Sequence, residues 1–398
     1  MKDLSGKIRS LLVTTGYPPE HSGSGNRLHQ LYCRMKIMNR NLEWKVITKI
    51  KNFDLLERKK LENIEILSIK HRNSKIKIIE SIAAIIEILW IKKLVKKGLF
   101  EGIDLIHCAG WSWMTYYICR SARKRNIPII RELTSIGDGG LSKGPGGRMI
   151  RKTNQYADLL VAISPALEDA VRMTGAKNKI WCRPNPVDIS IFHCPNAAER
   201  HEGREIIKKW FPKIKENDIV ILHVGRFRPL KNQLFLCKVL SRLSDRFYLA
   251  MVGPSYKKDE DYIKSIKQFI DRNGIQDHIY LDIGLKRNVD CIMQGSDIFV
   301  FPSKKEGLGN VMLEALSTGM PVVANRLQGV TDWIINHGKN GALCELSVES
   351  FKEGILISES LIPLREKIAR ESGKSFSNSK IDRNYLEHIF KLKEFYQG

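Results

Sequence analysis

The chain has 398 residues, 43% of them hydrophobic and 27% charged, with 29 glycines and a formal charge of +23. That apolar share supports packed cores and excludes the disordered and fibrous classes, and the length suggests two or three domains. The charge is uneven: the first hundred residues hold 21 basic and 9 acidic side chains and the last 98 hold 13 and 12, which implies a local anionic partner at the front.

Short β-rich runs alternate with helical patterns along the chain. Strands are predicted over 8–15, 44–50, 64–69, 104–108, 128–132, 159–164 and 180–183, and helices over 27–38, 76–97, 113–125, 149–156 and 166–173. Such alternation gives βαβ units and a parallel, doubly wound sheet. From 187 to 205 the pattern breaks into Pro, Asn, Glu and His, which reads as a linker. A second series follows, with strands over 219–224, 248–252, 279–282, 298–302, 321–324 and 341–344 and helices over 232–243, 261–273, 289–294, 311–317 and from 348 onward. The expected architecture is α/β. It has an N-terminal Rossmann-like domain (1–190), a linker (191–205), a second Rossmann-like domain (206–375) and a C-terminal helix (376–398) packing back on the first. A ligand cleft is expected where the carboxyl ends of the strands face each other.

Eight cysteines lie at least 11 positions apart, without C-x-x-C or paired-histidine spacing, so structural zinc and redox motifs are not expected and a reducing cytoplasm fits. The apolar run at 76–91 is broken by Lys77, Glu80 and Glu87 and is too short to span a bilayer, and the N-terminal apolar run is too short for an export signal.

Two segments of the second half carry chemistry. In FVFPSKKEGLGNVMLEAL a buried strand meets the turn Glu306-Gly307-Leu308-Gly309, and a helix starts near Asn310 and carries Glu314. Backbone amides at such a helix start suit phosphate, and two carboxylates eight apart suit two hydroxyl-rich parts of one ligand. In HVGRFRPLK a strand end is followed by Gly225, Arg226 and Lys231. A forked guanidinium and a compact ammonium can neutralise a pyrophosphate without a metal. A decoy sits at Asp259-Glu260-Asp261, a D-x-D pattern opening a helix, where acidic residues commonly serve the helix dipole; no metal site is expected there.

These segments resemble the retaining GT-B glycosyltransferases of glycosyltransferase family 4. The family's E-x7-E motif corresponds to Glu306 and Glu314, and its G-R-x-x-x-x-K segment to Gly225, Arg226 and Lys231. YPPEHSGSGNRLHQL, DLIHCAG, VAIS, RPNPVDISIF and Gln328-Gly329 with Asp332 also fall in family order, so the resemblance covers nearly the whole chain. It implies two Rossmann-like domains facing a cleft and transfer of a sugar from a nucleotide-diphosphate sugar. Arg226 and Lys231 would hold the diphosphate, Glu314 the ribose and Glu306 the transferred sugar. Amides from Leu308 through Gly309 and Asn310 to Val311 would complete the phosphate cradle. Gly23 and Gly25, in the first-half glycine loop, would let backbone approach the donor. Many members carry a histidine near the reacting sugar where this chain has Glu132. Either the carboxylate replaces it, joining Glu306, Arg226 and Lys231 as catalytic, or the position is misaligned and His107 is the nearest other candidate. His107 and Asn185 are placed on the acceptor side. No cofactor and no metal are implied, since the nucleotide sugar is a substrate.

Residues 136–147 hold six glycines in twelve positions, read either as a lid that orders over substrate or as a loose connection. Residues 70–97 join Lys70, Arg72, Lys75, Lys77, Lys92, Lys93, Lys96 and Lys97 to Ile78, Ile79, Ile82, Ile85, Ile86 and Leu89 at helical spacing. One reading is a helix packed into the core; the other is a helix on anionic lipid, bringing a lipid-linked, phosphorylated or glycan acceptor to a peripheral enzyme on the cytoplasmic membrane face. A nucleic-acid partner is not expected, because no such module accompanies the charge. An epimerase of like fold acting on the nucleotide sugar, and a non-catalytic anion- or nucleic-acid-binding protein, are the alternative functions.

Overall fold

The computed structural model describes residues 6–18, 23–50, 56–61, 64–70, 77–284 and 288–397. The chain divides into two compact units, one of Met1–Pro184 with Ser379–Gly398 and one of Asn185–Asn378.

In the first unit, strands β1 (Ile8–Thr14), β2 (Leu42–Ile50), β3 (Leu56–Leu61), β4 (Ile64–Lys70), β5 (Leu105–Ala109), β6 (Ile129–Leu133), β7 (Leu159–Ala162) and β8 (Lys179–Cys182) form one sheet. Their order is β3-β4-β2-β1-β5-β6-β7-β8. All neighbours are parallel except β3, which runs antiparallel to β4 and was not predicted, because LERKKL carries no apolar alternation. Helices α1 (Gly23–Met38), α2 (Lys77–Lys96), α3 (Trp113–Arg123), α4 (Pro145–Tyr156) and α5 (Pro165–Arg172) connect the strands. Burial on both faces explains why β5 and β7 are almost wholly apolar, whereas β1 carries an exposed Arg9 near its start.

The glycine loop is corrected by the structure. Gly23 and Gly25 lie in the first turn of α1, and a Cβ on Gly25 would strike the Gly16 carbonyl, so Gly25 lets the helix start press against the chain leaving β1. The segment 136–147 is likewise built: the Asp138 carboxylate accepts from the Thr134 and Ser135 amides at 2.8 and 2.9 Å, and α4 begins at Pro145.

The second unit has six parallel strands, β9 (Ile219–Val224), β10 (Phe247–Gly253), β11 (Ile279–Ile283), β12 (Ile298–Phe301), β13 (Val322–Asn325) and β14 (Gly341–Cys344), in the order β11-β10-β9-β12-β13-β14. Its helices are α6 (Ala197–Trp210), α7 (Gln233–Leu240), α8 (Glu260–Asn273), α9 (Val289–Gly295), α10 (Asn310–Ser317), α11 (Thr331–Ile334), α12 (Val348–Glu359) and α13 (Arg365–Phe376). The strand order reverses between β9 and β12, the place where doubly wound sheets bind ligands at their carboxyl ends.

The expected linker over 191–205 is also corrected, since α6 occupies much of it. Asn196 caps the helix, accepting from the Glu199 amide while the Glu199 carboxylate accepts from the Asn196 amide. Gly203 meets Gly295 of α9 so closely that a Cβ on either would collide with the other helix's backbone. The last helix, α14 (Asn378–Gln397), contributes Ile381, Tyr385, Leu386, Ile389 and Phe390 to the core of the first unit.

Candidate donor site in the second unit

Both predicted segments leave the sheet at the switch between β9 and β12. After β9 come Gly225 and Arg226; after β12 come Glu306 and the turn into α10. Lys231 and Glu306, 75 positions apart in sequence, meet at 2.5 Å, with side chains 19% and 16% exposed. The Lys231 ammonium also lies 5.5 Å from the centre of the Phe301 ring.

The turn before α10 depends on Gly309. Its φ of +90° suits glycine, and a Cβ there would press into the Phe301 ring. Leu308 is buried and anchors the turn, while Gly307, Asn310 and Val311 keep some exposure. The helix thus offers its first amides to solvent where an anion can reach them. Asn185, expected on the acceptor side, instead lies in this unit and donates from Nδ2 to Oδ1 of Asn310 at 2.7 Å. Glu314 sits one turn further along α10, and burial pushes its carboxyl up to about 7.

Arg226 has partners that the sequence did not suggest. Its Nε and Nη2 donate to Asp259 Oδ2 at 3.2 and 2.5 Å, and its guanidinium carbon lies 4.0 Å from the centre of the Tyr256 ring. The D-x-D pattern is dispersed: Asp259 is buried against Arg226, whereas the Asp261 side chain is fully exposed beside Lys264. No cluster of three or more His, Cys, Asp or Glu suited to a metal occurs among the described residues.

Buried polar atoms without hydrogen-bond partners among the described residues mark the same strand ends. They are His223 Nε2 on β9, Ser303 Oγ just after β12 and Gln233 Oε1 at the start of α7. His223 Nδ1 donates to the Val300 carbonyl at 3.0 Å, which leaves Nε2 as the bare acceptor. Burial pulls the imidazole down to about 4, so the ring is neutral at physiological pH. A Cβ on Gly225 would sit 3.2 Å from this nitrogen, so the glycine keeps the strand end open between His223 and Lys231. A histidine two residues before a strand-end glycine was a legible signal that sequence reasoning passed over.

In the first unit, Glu132 on β6 is fully buried. Arg27, Arg183 and Tyr385 all hydrogen-bond to its carboxylate, and His107 Nε2 lies 3.5 Å from Oε1. Burial would raise this carboxyl, but Arg27 and Arg183, helped by His107, hold it well below the usual carboxylate range. His107 is also fully buried and pairs through Nδ1 with the Tyr32 hydroxyl at 3.1 Å. Glu132, expected to be catalytic, and His107, expected on the acceptor side, thus both lie inside this core, with the Glu132 lone pairs committed to two guanidiniums and a phenol. The cluster ties α1, β5, β6, the end of β8 and α14 together.

Comparison with known proteins agrees with this fold. Residues 205–374 match the family model described as glycosyl transferases group 1, and residues 69–191 match that of glycosyltransferase family 4. The chain is 25% identical over 263 residues to the N-acetyl-alpha-D-glucosaminyl L-malate synthase of Bacillus anthracis, a match covering 64% of each chain. It is 25% identical over 220 residues to the UDP-Gal:alpha-D-GlcNAc-diphosphoundecaprenol alpha-1,3-galactosyltransferase of Escherichia coli, covering 55% of this chain and 54% of that one. The matches thus span under two thirds of either relative. Among solved structures, HepE of Anabaena, determined with UDP, superposes with a TM-score of 0.75 at 17% identity, covering 96% of this chain and all of that one. With two family models matched in sequence order over 69–191 and 205–374, and the GT-B fold shared over 96% of the chain, the chain belongs to the glycosyltransferases of family 4.

Proposed function

We propose that the protein transfers a sugar, with retention, from a nucleotide-diphosphate sugar to an acceptor presented at an anionic membrane surface, and that it does so without a metal. The observation that carries the donor half is the convergence of Arg226, Lys231, Glu306 and the α10 amides at the β9/β12 switch. The named donor of the Escherichia coli relative and the UDP bound to HepE support this choice of ligand.

In the free protein Lys231 is held by Glu306. An arriving diphosphate competes for the ammonium and frees the Glu306 carboxylate to accept hydrogen bonds from hydroxyls of the sugar. As the glycosidic bond breaks, negative charge grows on the distal phosphate. Arg226, Lys231 and the α10 amides, already in place, stabilise that charge more than they stabilise the ground state. Glu314 accepts from the ribose hydroxyls. A divalent ion has no task left in this scheme, because two cations face the phosphates and Asp259 is committed to Arg226.

The acceptor half rests on α2. Ile85, Ile86 and Leu89 are exposed, at 56%, 44% and 57%, whereas Glu87 on the opposite side is buried and pairs with Lys49 at 2.7 Å. Of the core-packed apolar stripe expected for this helix, the described C-terminal part therefore faces outward, and Ile78, Ile79 and Ile82 lie outside the described side chains. Ile85, Leu89, Lys92 and Lys96 follow one another at helical spacing, apolar first and basic after. That order suits a helix lying in the headgroup region of anionic lipid, with each lysine contributing about 1 kcal/mol. No helix among the described residues is long and apolar enough to cross a membrane. The name of the Escherichia coli relative, with its diphosphoundecaprenol acceptor, points to lipid-linked acceptors as the first class to try.

The test is a panel of nucleotide sugars assayed with EDTA present, with and without a membrane lipid extract. Sugar transfer into the lipid fraction is expected. Epimerisation of the donor alone, or a strict need for Mn²⁺, would overturn the reading. Ile85→Glu with Leu89→Glu should lower sedimentation with anionic vesicles while leaving nucleotide affinity intact.

A further inference from the structure

We propose that Asp259, with Tyr256, is a positioning residue for the donor diphosphate: it fixes the guanidinium of Arg226 so that the unspent N–H groups face the phosphates. This rests on the donor site argued above and assigns a task to the one acidic motif that site left unexplained.

Asp259 immediately precedes α8, where an aspartate ordinarily accepts from the first helical amides and gains about 1 kcal/mol. Here its side chain makes no such bond. It turns away from the helix and accepts twice from Arg226, on Oδ2, while remaining buried. A buried carboxylate needs a charged partner, and Arg226 supplies it. The hold works in both directions. Of the five guanidinium N–H donors, Asp259 takes one on Nε and one on Nη2, which leaves both on Nη1 and one on Nη2. None of these has a protein partner among the described residues. The Tyr256 ring, 4.0 Å from the guanidinium carbon, covers one face of the plane and restricts its rotation.

A free arginine spends rotamer entropy to grip a phosphate; one already clamped by a carboxylate and a ring spends little. Against this, Asp259 adds a negative charge near the anion. The two effects have opposite signs in affinity, so measurement decides between them. Positioning predicts weaker binding when the carboxylate is removed, and simple charge damping predicts tighter binding.

The experiment is a double-mutant cycle on nucleoside diphosphate affinity by calorimetry, with thermal melts as the folding control. Asp259→Asn should raise Kd about tenfold in the parent protein and less than about twofold in an Arg226→Ala background, because its effect passes through Arg226. Asp259→Glu, which keeps a carboxylate, should recover part of the loss. Unchanged or tighter binding by Asp259→Asn, or an equal loss in both backgrounds, overturns the proposal. If Asp259→Asn does not fold, Tyr256→Ala at its exposed position loosens the same guanidinium and should show the same background dependence; its absence is equally decisive. Should Arg226→Ala itself leave affinity unchanged, the donor-site reading fails; should it weaken binding while Asp259→Asn does not, only the positioning role fails.

Discussion

The carboxylate–cation clusters around Glu132 and around Glu306 and Asp259 differ in access rather than in chemistry. In the first unit Glu132 is sealed, with the Arg27 and Arg183 side chains 10% and 4% exposed around it. In the second, Lys231, Glu306 and Arg226 keep between 16% and 24% of their side-chain surface, on loops at a topological switch. A sealed cluster satisfies its own charges and fastens elements together. An open one is satisfied only until a better anion arrives. Residue type alone would have made Glu132, beside a histidine and two arginines, the more convincing catalytic centre.

The largest way to break this contrast is at Glu132. Glu132→Ala strands two guanidiniums in a core and should destabilise the protein by about 3–5 kcal/mol. Chemical denaturation would measure this, and nucleoside diphosphate affinity should persist under conditions where the variant is folded. Marginal destabilisation with lost catalysis would instead return Glu132 to the active site. The linkage has a definite sign: a carboxyl depressed below its ordinary value of 4.5 contributes its full stability above that pH. The contribution disappears as pH falls through the native value, so Glu132→Gln should flatten stability loss on the acid side.

Next in size is Lys231→Ala. A charge-assisted hydrogen bond to phosphate is worth about 1.5–3 kcal/mol, so diphosphate affinity should fall roughly 10- to 100-fold. Because both Lys231 and Glu306 retain solvent contact, the melting temperature should move little. A large loss of stability with intact affinity would show that this pair is another fastener.

Where the sequence was legible and where it was not follows from distance along the chain. Strand β12, the turn at Gly309 and the Glu306 to Glu314 spacing are local, and local pattern exposes them. The partners of Glu132 lie 105 positions away in Arg27 and 253 away in Tyr385, and only the closed sheet and α14 bring them together. Asp259 reads as a helix-start residue until the fold sets Arg226 beside it. Helix α6 was hidden because AAERHEGREIIKKW has few apolar positions, though Asn196 with Glu199 three residues on was a capping signal in plain view. The outward face of α2 was hidden for the reverse reason: its period is helical, but period does not say which side meets the core.

The smallest effect sharpens the contrast most, because it concerns a buried carboxylate with no cationic partner among the described residues. Burial alone raises Glu314 to about 7. Its proton is held more tightly in the folded chain than in the unfolded one, so its stabilising contribution is present below about 4.5 and disappears as pH rises through about 7. Donor binding should run the other way, since the ionised carboxylate is the better acceptor for ribose hydroxyls. Between pH 8 and pH 6 the ionised fraction falls roughly tenfold, and affinity should follow it. A nucleotide sugar is the right probe, because its diphosphate diester does not titrate in that range whereas a free nucleoside diphosphate does. His223 does not interfere, since burial keeps it neutral down to about 4. Glu314→Gln should bind with little dependence on pH. Were the variant to keep the full slope, another group near the phosphates would be titrating, and Glu314 would lose its assignment to the ribose.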